Sequence, residues 1–237
     1  MRGRSTSNTL PLRVIDPNSS QLSPRLLLAS RSPRRREMLA HAGVSTIAEH
    51  PGFDDSVLEV GGVMAHPEHW VAALAYLKAR AGAELARDRG VDWALGADTA
   101  CVLRPNSGAA ITIGTPRNAH EAREILRAML PRIGEPDKRH EVLTGAAIVH
   151  AKTGRRVVFV DIAHVRMGAI DDATLDAYIA SGQWAGKAGA YNLADRQAAG
   201  WTLAVEGDPA TVMGLPMRRL VPLLQRLGIM PIAEAAS

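Results

Sequence analysis

A mixed α/β fold, a twisted sheet with flanking helices, is predicted by three features of the sequence. Apolar runs of strand length alternate with longer stretches whose apolar residues recur at helical spacing. Two β-like runs, 142–150 and 155–167, follow each other across Lys-Thr-Gly, which reads as a hairpin rather than a helical crossover. Glycine, proline and capping residues stand at the joins between stretches. Helical connections imply parallel strands and a hairpin implies antiparallel ones, so the sheet is mixed.

The elements follow in order. Leu26-Leu27-Leu28-Ala29 is a buried strand, after which Ser32 supplies an N-cap and Pro33 suits the first position of a helix continuing over 34–41. Residues 44–63 read as loop, with an acidic turn over 52–56 and a Gly61-Gly62 pair. Pro67 opens a second helix that runs to about Arg89 and is closed by Gly90. Residues 93–103 read as a strand interrupted at Gly-Ala-Asp-Thr and ended by a Pro-Asn-Ser-Gly turn. Asn118 and Glu121 resemble a capping box for a helix over 119–130. Beyond the hairpin, Asp171 caps a helix ending at Gly182, and the glycine-rich residues 186–214 read as loops with a short strand over 201–205. A last helix covers 216–227, with Gly228 past its end.

Composition narrows the function classes. The 237 residues are 46% hydrophobic and 22% charged, which excludes a disordered or fibrous chain. One cysteine, Cys101, excludes an intrachain disulfide and any Cys/His zinc spacing, and suits a reducing, cytoplasmic setting. No apolar run approaches the ~20 residues of a membrane span. The formal charge of +4 raises nucleic-acid binding, but two phenylalanines and three tyrosines make a poor base-stacking platform. Residues 1–24 are polar and read as a mobile extension; residues 25–230 read as one globular domain.

Four segments carry chemistry. In Ser30-Arg31-Ser32-Pro33-Arg34-Arg35 a strand hands over to a helix whose first amides lack intrahelical partners. Cations there oppose the helix dipole, a conflict that a bound phosphate resolves. Asp98 falls within an apolar run, where a carboxylate costs several kcal/mol unless it is paired, hydrogen-bonded or metal-bound; a strand-end aspartate bonding local amides is the equal alternative. Lys78 lies on the apolar stripe marked by Val71, Leu74, Ala81 and Leu85, and either snorkels to water or reaches a ligand phosphate. Gly186-Lys187-Ala188-Gly189-Ala190-Tyr191 lets backbone approach a ligand, with Lys187 as a phosphate contact. Asp54 and Asp55 are either a solvated turn or, with Asp98, carboxylates for Mg²⁺.

Taken together and in this order, the segments resemble the Maf family of nucleoside-triphosphate pyrophosphatases. The matching pieces are Leu-Ala-Ser-Arg-Ser-Pro-Arg-Arg-Arg-Glu-Met-Leu from Leu28, Leu-Ala-Tyr-Leu-Lys-Ala from Leu74, Gly-Ala-Asp-Thr from Gly96, Gly-Lys-Ala-Gly-Ala-Tyr from Gly186 and Val-Met-Gly-Leu-Pro from Val212. The resemblance spans residues 26 to about 227. It implies two lobes around a cleft in a fold like that of the inosine triphosphatases, often as a homodimer. It also implies hydrolysis of a nucleoside triphosphate to the monophosphate and pyrophosphate with Mg²⁺ or Mn²⁺. Asp98 matches the family's proton acceptor, and Arg34 and Thr99 match positions associated with base selection. Gly-Ala-Asp-Thr resembles the branch acting on dTTP and UTP.

The catalytic candidates are therefore Asp98, Lys78 and Lys187. The substrate-binding candidates are Ser30, Arg34, Arg35 and Thr99, and the metal candidates are Asp54, Asp55 and Asp98. The chain departs from the family pattern twice. Thr115 stands where the family usually carries a lysine, and Ala194 aligns with a glutamine associated with pyrimidine selection, with Asn192 and Gln197 as the nearest substitutes. These departures motivate a rival reading, a nucleotide-binding regulator with reduced catalysis.

Overall fold

The computed structural model describes residues 26–52, 62–105 and 109–230. The expected N-terminal extension, the acidic turn with Asp54 and Asp55, and most of the Pro-Asn-Ser-Gly turn lie outside these residues.

One eight-stranded mixed sheet organises the chain. Strand β1 (Leu26–Ala29) leads into helix α1 (Pro33–His41), which returns the chain to β2 (Thr46–Glu49). β2 pairs parallel with β1, Leu26 against Thr46. Strand β3 (Gly62–Met64) precedes the long helix α2 (Pro67–Asp88), and β4 (Trp93–Leu103) follows. β5 (Ala110–Ile113) and α3 (Ala119–Met129) lead to the hairpin β6 (Lys138–His150) and β7 (Arg156–Met167). The chain ends through α4 (Asp172–Ala180), a 3₁₀ turn (Ala188–Ala190), α5 (Leu193–Ala198), β8 (Leu203–Glu206), α6 (Pro209–Met213) and α7 (Met217–Arg226). The main strand order is β2-β1-β4-β6-β7-β8, with β5 pairing both β4 and β3.

Three expectations are corrected. The region read as loop over 44–63 contains β2 and β3; β2 is only partly buried, so its sequence lacks a clean alternation. The glycine-rich tail region contains α5 and α6, each only one to two turns long and held by side-chain caps, Asn192 and Asp208. β4 is not interrupted at Gly-Ala-Asp-Thr: it pairs continuously with β6 from Trp93 to Val102. Gly96 serves packing instead. A Cβ there would lie 2.4 Å from the Ala75 carbonyl oxygen and 2.4 Å from the Ala79 nitrogen. Gly145, opposite Asp98 on β6, would collide in the same way with the Val71 carbonyl, at 2.3 Å. Two glycines thus let α2 lie directly on the sheet. The buried stripe of α2 is accordingly Val71, Ala75, Ala79, Gly82 and Ala86, while Ala81 and Leu85 sit at its edge.

The register divides the site residues between the two faces of the sheet. Strand side chains alternate, so Gly96 and Asp98 face α2, whereas Ala97, Thr99 and Cys101 face the other side with Thr144 and Val142 of β6. On that second face, Leu26, Leu28, Leu39, Leu95, Ile148, Leu215, Leu220 and Leu224 form one apolar core with α1 and α7. A separate core gathers Cys101, Leu126, Met129, Val142, Leu175, Tyr178 and Tyr191 around α3 and α4. β4 and β6 run through both.

Candidate active site

The edge of β4 is shared by two strands that do not meet. β1 pairs with β4 only from Trp93 to Leu95, and β5 pairs only from Cys101 to Leu103. Residues 96–100 are left with a partner on one side alone, β6. A crevice where strand partners part is the usual ligand position in α/β sheets. Here it is a cavity of about 300 Å³ lined by Ser32, Arg34, Arg35, Lys78, Asp98 and Thr99, with Thr115, Tyr191, Met213 and Gly214 among its other walls. Among the described residues of its wall, three cations face one carboxylate, which suits an anion.

Asp98 and Lys78 form a pair on the α2 face. Lys78 Nζ donates to Asp98 Oδ1 at 2.7 Å, with side chains 14% and 15% exposed. Of the two readings of Lys78, it neither stays in solvent nor reaches the cavity alone: it is held by the carboxylate. Asp98 Oδ2 takes no hydrogen bond from any described residue. The strand-end alternative for Asp98 is thereby set aside, since its partner is a side chain 20 residues away.

The arginines of α1 divide their work. Ser32 caps the helix by accepting the Arg35 N–H, as its sequence position indicates. Arg35 turns inward and spends its guanidinium on protein acceptors: Nε donates to the Gly214 carbonyl at 2.9 Å, Nη1 to the Ala97 carbonyl at 2.9 Å and Nη2 to Thr99 Oγ1 at 3.1 Å. It ties α1 to the unpaired stretch of β4 and to the end of α6. Arg34 lines the same cavity and makes no hydrogen bond or ion pair with a described residue, so its fork is available to a ligand. Ser30 lies one step away, on a smaller pocket that also touches Ser32, Arg35 and Lys78; its hydroxyl accepts the Ser32 N–H at 3.1 Å.

Lys187 is flanked by cavity residues Gly186 and Ala188 but is not itself part of the wall. Its ammonium donates to the Gln183 carbonyl. Burial is the main cause that holds its pKa below the ordinary lysine value; the Asp195 carboxylate counters this, while Arg34 and Arg196 add to it. Of the small residues near it, Gly189 and Ala190 serve packing. A Cβ on Gly189 (φ +72°) would press on Cys101 Sγ at 3.2 Å, and Ala190 adopts φ +62° with its carbonyl accepting the Tyr178 hydroxyl at 2.8 Å.

Several contributors carried weak signals in the sequence. Tyr191 lines the cavity, and its hydroxyl meets Nε2 of the buried His140 at 2.8 Å. Burial pushes the His140 imidazole down to about 4 and the Tyr191 hydroxyl well up, so both are neutral near pH 7. Burial likewise raises the Cys101 thiol to about 12, which removes it as a nucleophile. Thr144 and Thr211, both fully buried, bond to each other beneath Thr99. Thr144 interrupts an apolar run as Asp98 does, which is the signal that marks it. The two departures are also placed. Thr115 lines the cavity, whereas Ala194 is exposed on α5. Neither neighbouring amide stands in for the glutamine: Asn192 caps α5 and Gln197 donates to the Leu203 carbonyl.

A family profile described as Maf-like protein matches residues 25–227. The chain belongs to the Maf-like family. It is 36% identical to a Salinibacter ruber protein named dTTP/UTP pyrophosphatase, over 92% of this chain and 97% of that one. Proteins of the same name from Alkaliphilus metalliredigens and Anaeromyxobacter dehalogenans are 36% and 35% identical, covering 85% and 87% of this chain and 95% and 96% of theirs. The mixed sheet and its flanking helices agree with the fold that the motifs imply. Among the described residues, no helix is long and apolar enough to cross a membrane.

Proposed function

We propose that this Maf-like chain is a nucleoside-triphosphate pyrophosphatase that converts dTTP or UTP to the monophosphate and pyrophosphate. The observation that carries the reading is the partly buried Lys78–Asp98 pair at the unpaired edge of β4, inside a cavity that also presents Arg34. In this account, water adds across the anhydride between the α and β phosphates. A new P–O bond forms to the water oxygen, the bridging P–O bond breaks, and the water proton passes to the Asp98 carboxylate. Lys78 orients that carboxylate and adds positive charge beside the phosphates, and Arg34 holds phosphate or base by its fork. Lys187 and Ser30 border the same region and extend the phosphate-binding surface. Arg35 and Thr99 shape the wall.

A divalent cation fits the donor set. No group of three or more metal-ligating side chains occurs among the described residues, but Asp98 Oδ2 takes no hydrogen bond from a described residue, and Mg²⁺ needs only one or two carboxylates with phosphate oxygens. Asp98 would hold the ion, with Asp54 or Asp55 as the second carboxylate; when bound, Mg²⁺ or Mn²⁺ offsets the charge of the triphosphate. A reduced, buried Cys101 suits a cytoplasmic enzyme.

The test is pyrophosphate release from dTTP, UTP, CTP, GTP, methylated GTP and ITP with each metal. Metal-dependent release, highest with dTTP or UTP, is expected. Nucleotide binding without release from any of them favours the regulator reading, which Thr115 at the cavity wall would then explain.

A further inference from the structure

Thr144 lies fully buried on β6, and its one hydroxyl proton sets the direction of a hydrogen-bond relay. Its Oγ1 is 2.7 Å from the Thr211 carbonyl oxygen and 3.0 Å from Thr99 Oγ1. A carbonyl oxygen only accepts, so the Thr144 proton goes to Thr211. No proton is left for Thr99, and Thr99 must therefore donate to Thr144. Thr99 Oγ1 also receives the Nη2–H of Arg35 at 3.1 Å. A hydroxyl has one proton and two lone pairs, so what Thr99 keeps for a ligand is a single lone pair. The far end of the relay is fixed as well, because Thr211 Oγ1 donates to Asp161 Oδ2 at 2.6 Å. Thr211 is the middle residue of α6, which supplies Val212 and Met213 to the cavity wall.

We infer that Thr144, anchored on Thr211, makes Thr99 an acceptor-only group, and that this polarity selects the N3–H of a bound uracil or thymine over the N3 lone pair of cytosine. The inference rests on the nucleotide reading above. On the pairing edge of uracil and thymine both carbonyl oxygens accept and only N3–H donates, so an acceptor-only hydroxyl has one partner there. Cytosine carries its donor on N4 and a lone pair at N3, so in the pose that seats N3 on Thr99 two lone pairs face each other and leave both unsatisfied. Thr144 touches no ligand and is a positioning residue for this choice.

The experiment compares kcat/KM for UTP and CTP in the wild type, Thr144→Val and Thr144→Ser. Valine keeps the shape and removes the acceptor, which frees the Thr99 proton to turn towards the ligand. The UTP-to-CTP ratio is expected to fall by about tenfold or more in Thr144→Val, the scale of one mispaired polar group, and to return in Thr144→Ser. A purely structural role would change both nucleotides alike, and an unchanged ratio in Thr144→Val overturns the inference. So does a wild type that does not prefer UTP. If Thr144→Val does not fold, the same ratio in Thr99→Val decides, with no change again overturning it. If the wild type releases no pyrophosphate from any nucleotide, the functional reading fails first. Calorimetric affinities for UMP and CMP then carry the comparison: tighter UMP binding supports the relay and equal binding overturns it.

Discussion

Replacing Gly96 with alanine places one methyl group between the sheet and α2. The new Cβ would sit 2.4 Å from the Ala75 carbonyl oxygen and 2.4 Å from the Ala79 nitrogen, where ordinary contact begins at 3.4 Å. Both obstacles are helix backbone and cannot rotate aside, so α2 has to lift by about 1 Å. Overpacking of this kind costs about 1–3 kcal/mol, and with backbone on both sides the upper value applies. At roughly 2–4 °C per kcal/mol for a chain of this size, Tm falls by about 6–12 °C. Lys78 immediately precedes Ala79, so the lift also draws its ammonium from Asp98. A displacement near 1 Å costs up to about 100-fold in turnover. Gly114→Ala is the control: nothing lies within 4 Å of its Cβ, and its Tm should match the wild type. Calorimetry and pyrophosphate release measure both effects. A Gly96→Ala protein with wild-type Tm and turnover would refute the argument that this glycine sets the height of α2.

Two further predictions concern charge. The two arginines of α1 should separate cleanly: Arg34→Ala raises KM by about tenfold or more with Tm unchanged, as expected for a charge-assisted contact made only to ligand. Arg35→Met instead lowers Tm, by about 3 kcal/mol of stability, because the Ala97 and Gly214 carbonyls lose their donor; equal effects on Tm would contradict the division. His140 should limit acid stability. Its folded pKa of about 4 lies below the ordinary 6.5, so the unfolded chain binds the proton that the folded chain refuses. Its contribution is complete above pH 6.5 and is lost as pH falls towards 4, about 3 kcal/mol in all. Urea midpoints between pH 7.5 and 4 should show a flatter dependence in His140→Gln, and an identical dependence would refute this cause.

The sequence displays the helices because their ends are chemically marked: Ser32-Pro33, Pro67 with Gly90, Asn118 and Asp171 all fall where α1, α2, α3 and α4 begin or stop. β2 and α5 lack such clarity, the first because it is half-exposed and the second because it is six residues long. Gly96 is legible as unusual, but its meaning is not, since a glycine that breaks a strand and one that admits a helix look alike until the helix is in place. The same holds for the site. Asp98 and Lys78 both stand out as charges on apolar patterns, and only the fold shows that each is the other's partner. Arg34 and Arg35 are neighbours in sequence, yet about 100° of helical rotation separates a residue open to ligand from one committed to protein carbonyls. Thr144 and Thr211 are 67 positions apart, so their hydrogen bond is invisible to any local pattern.

Asp98→Asn separates proton transfer from nucleotide binding at this site. The amide keeps the shape of the carboxylate and can still accept from Lys78, so Tm should change by only a few degrees while the proton acceptor is gone. Pyrophosphate release from UTP is expected to fall by about 100-fold or more, with nucleotide binding retained. Release at the wild-type rate from a folded Asp98→Asn protein would contradict proton transfer to Asp98.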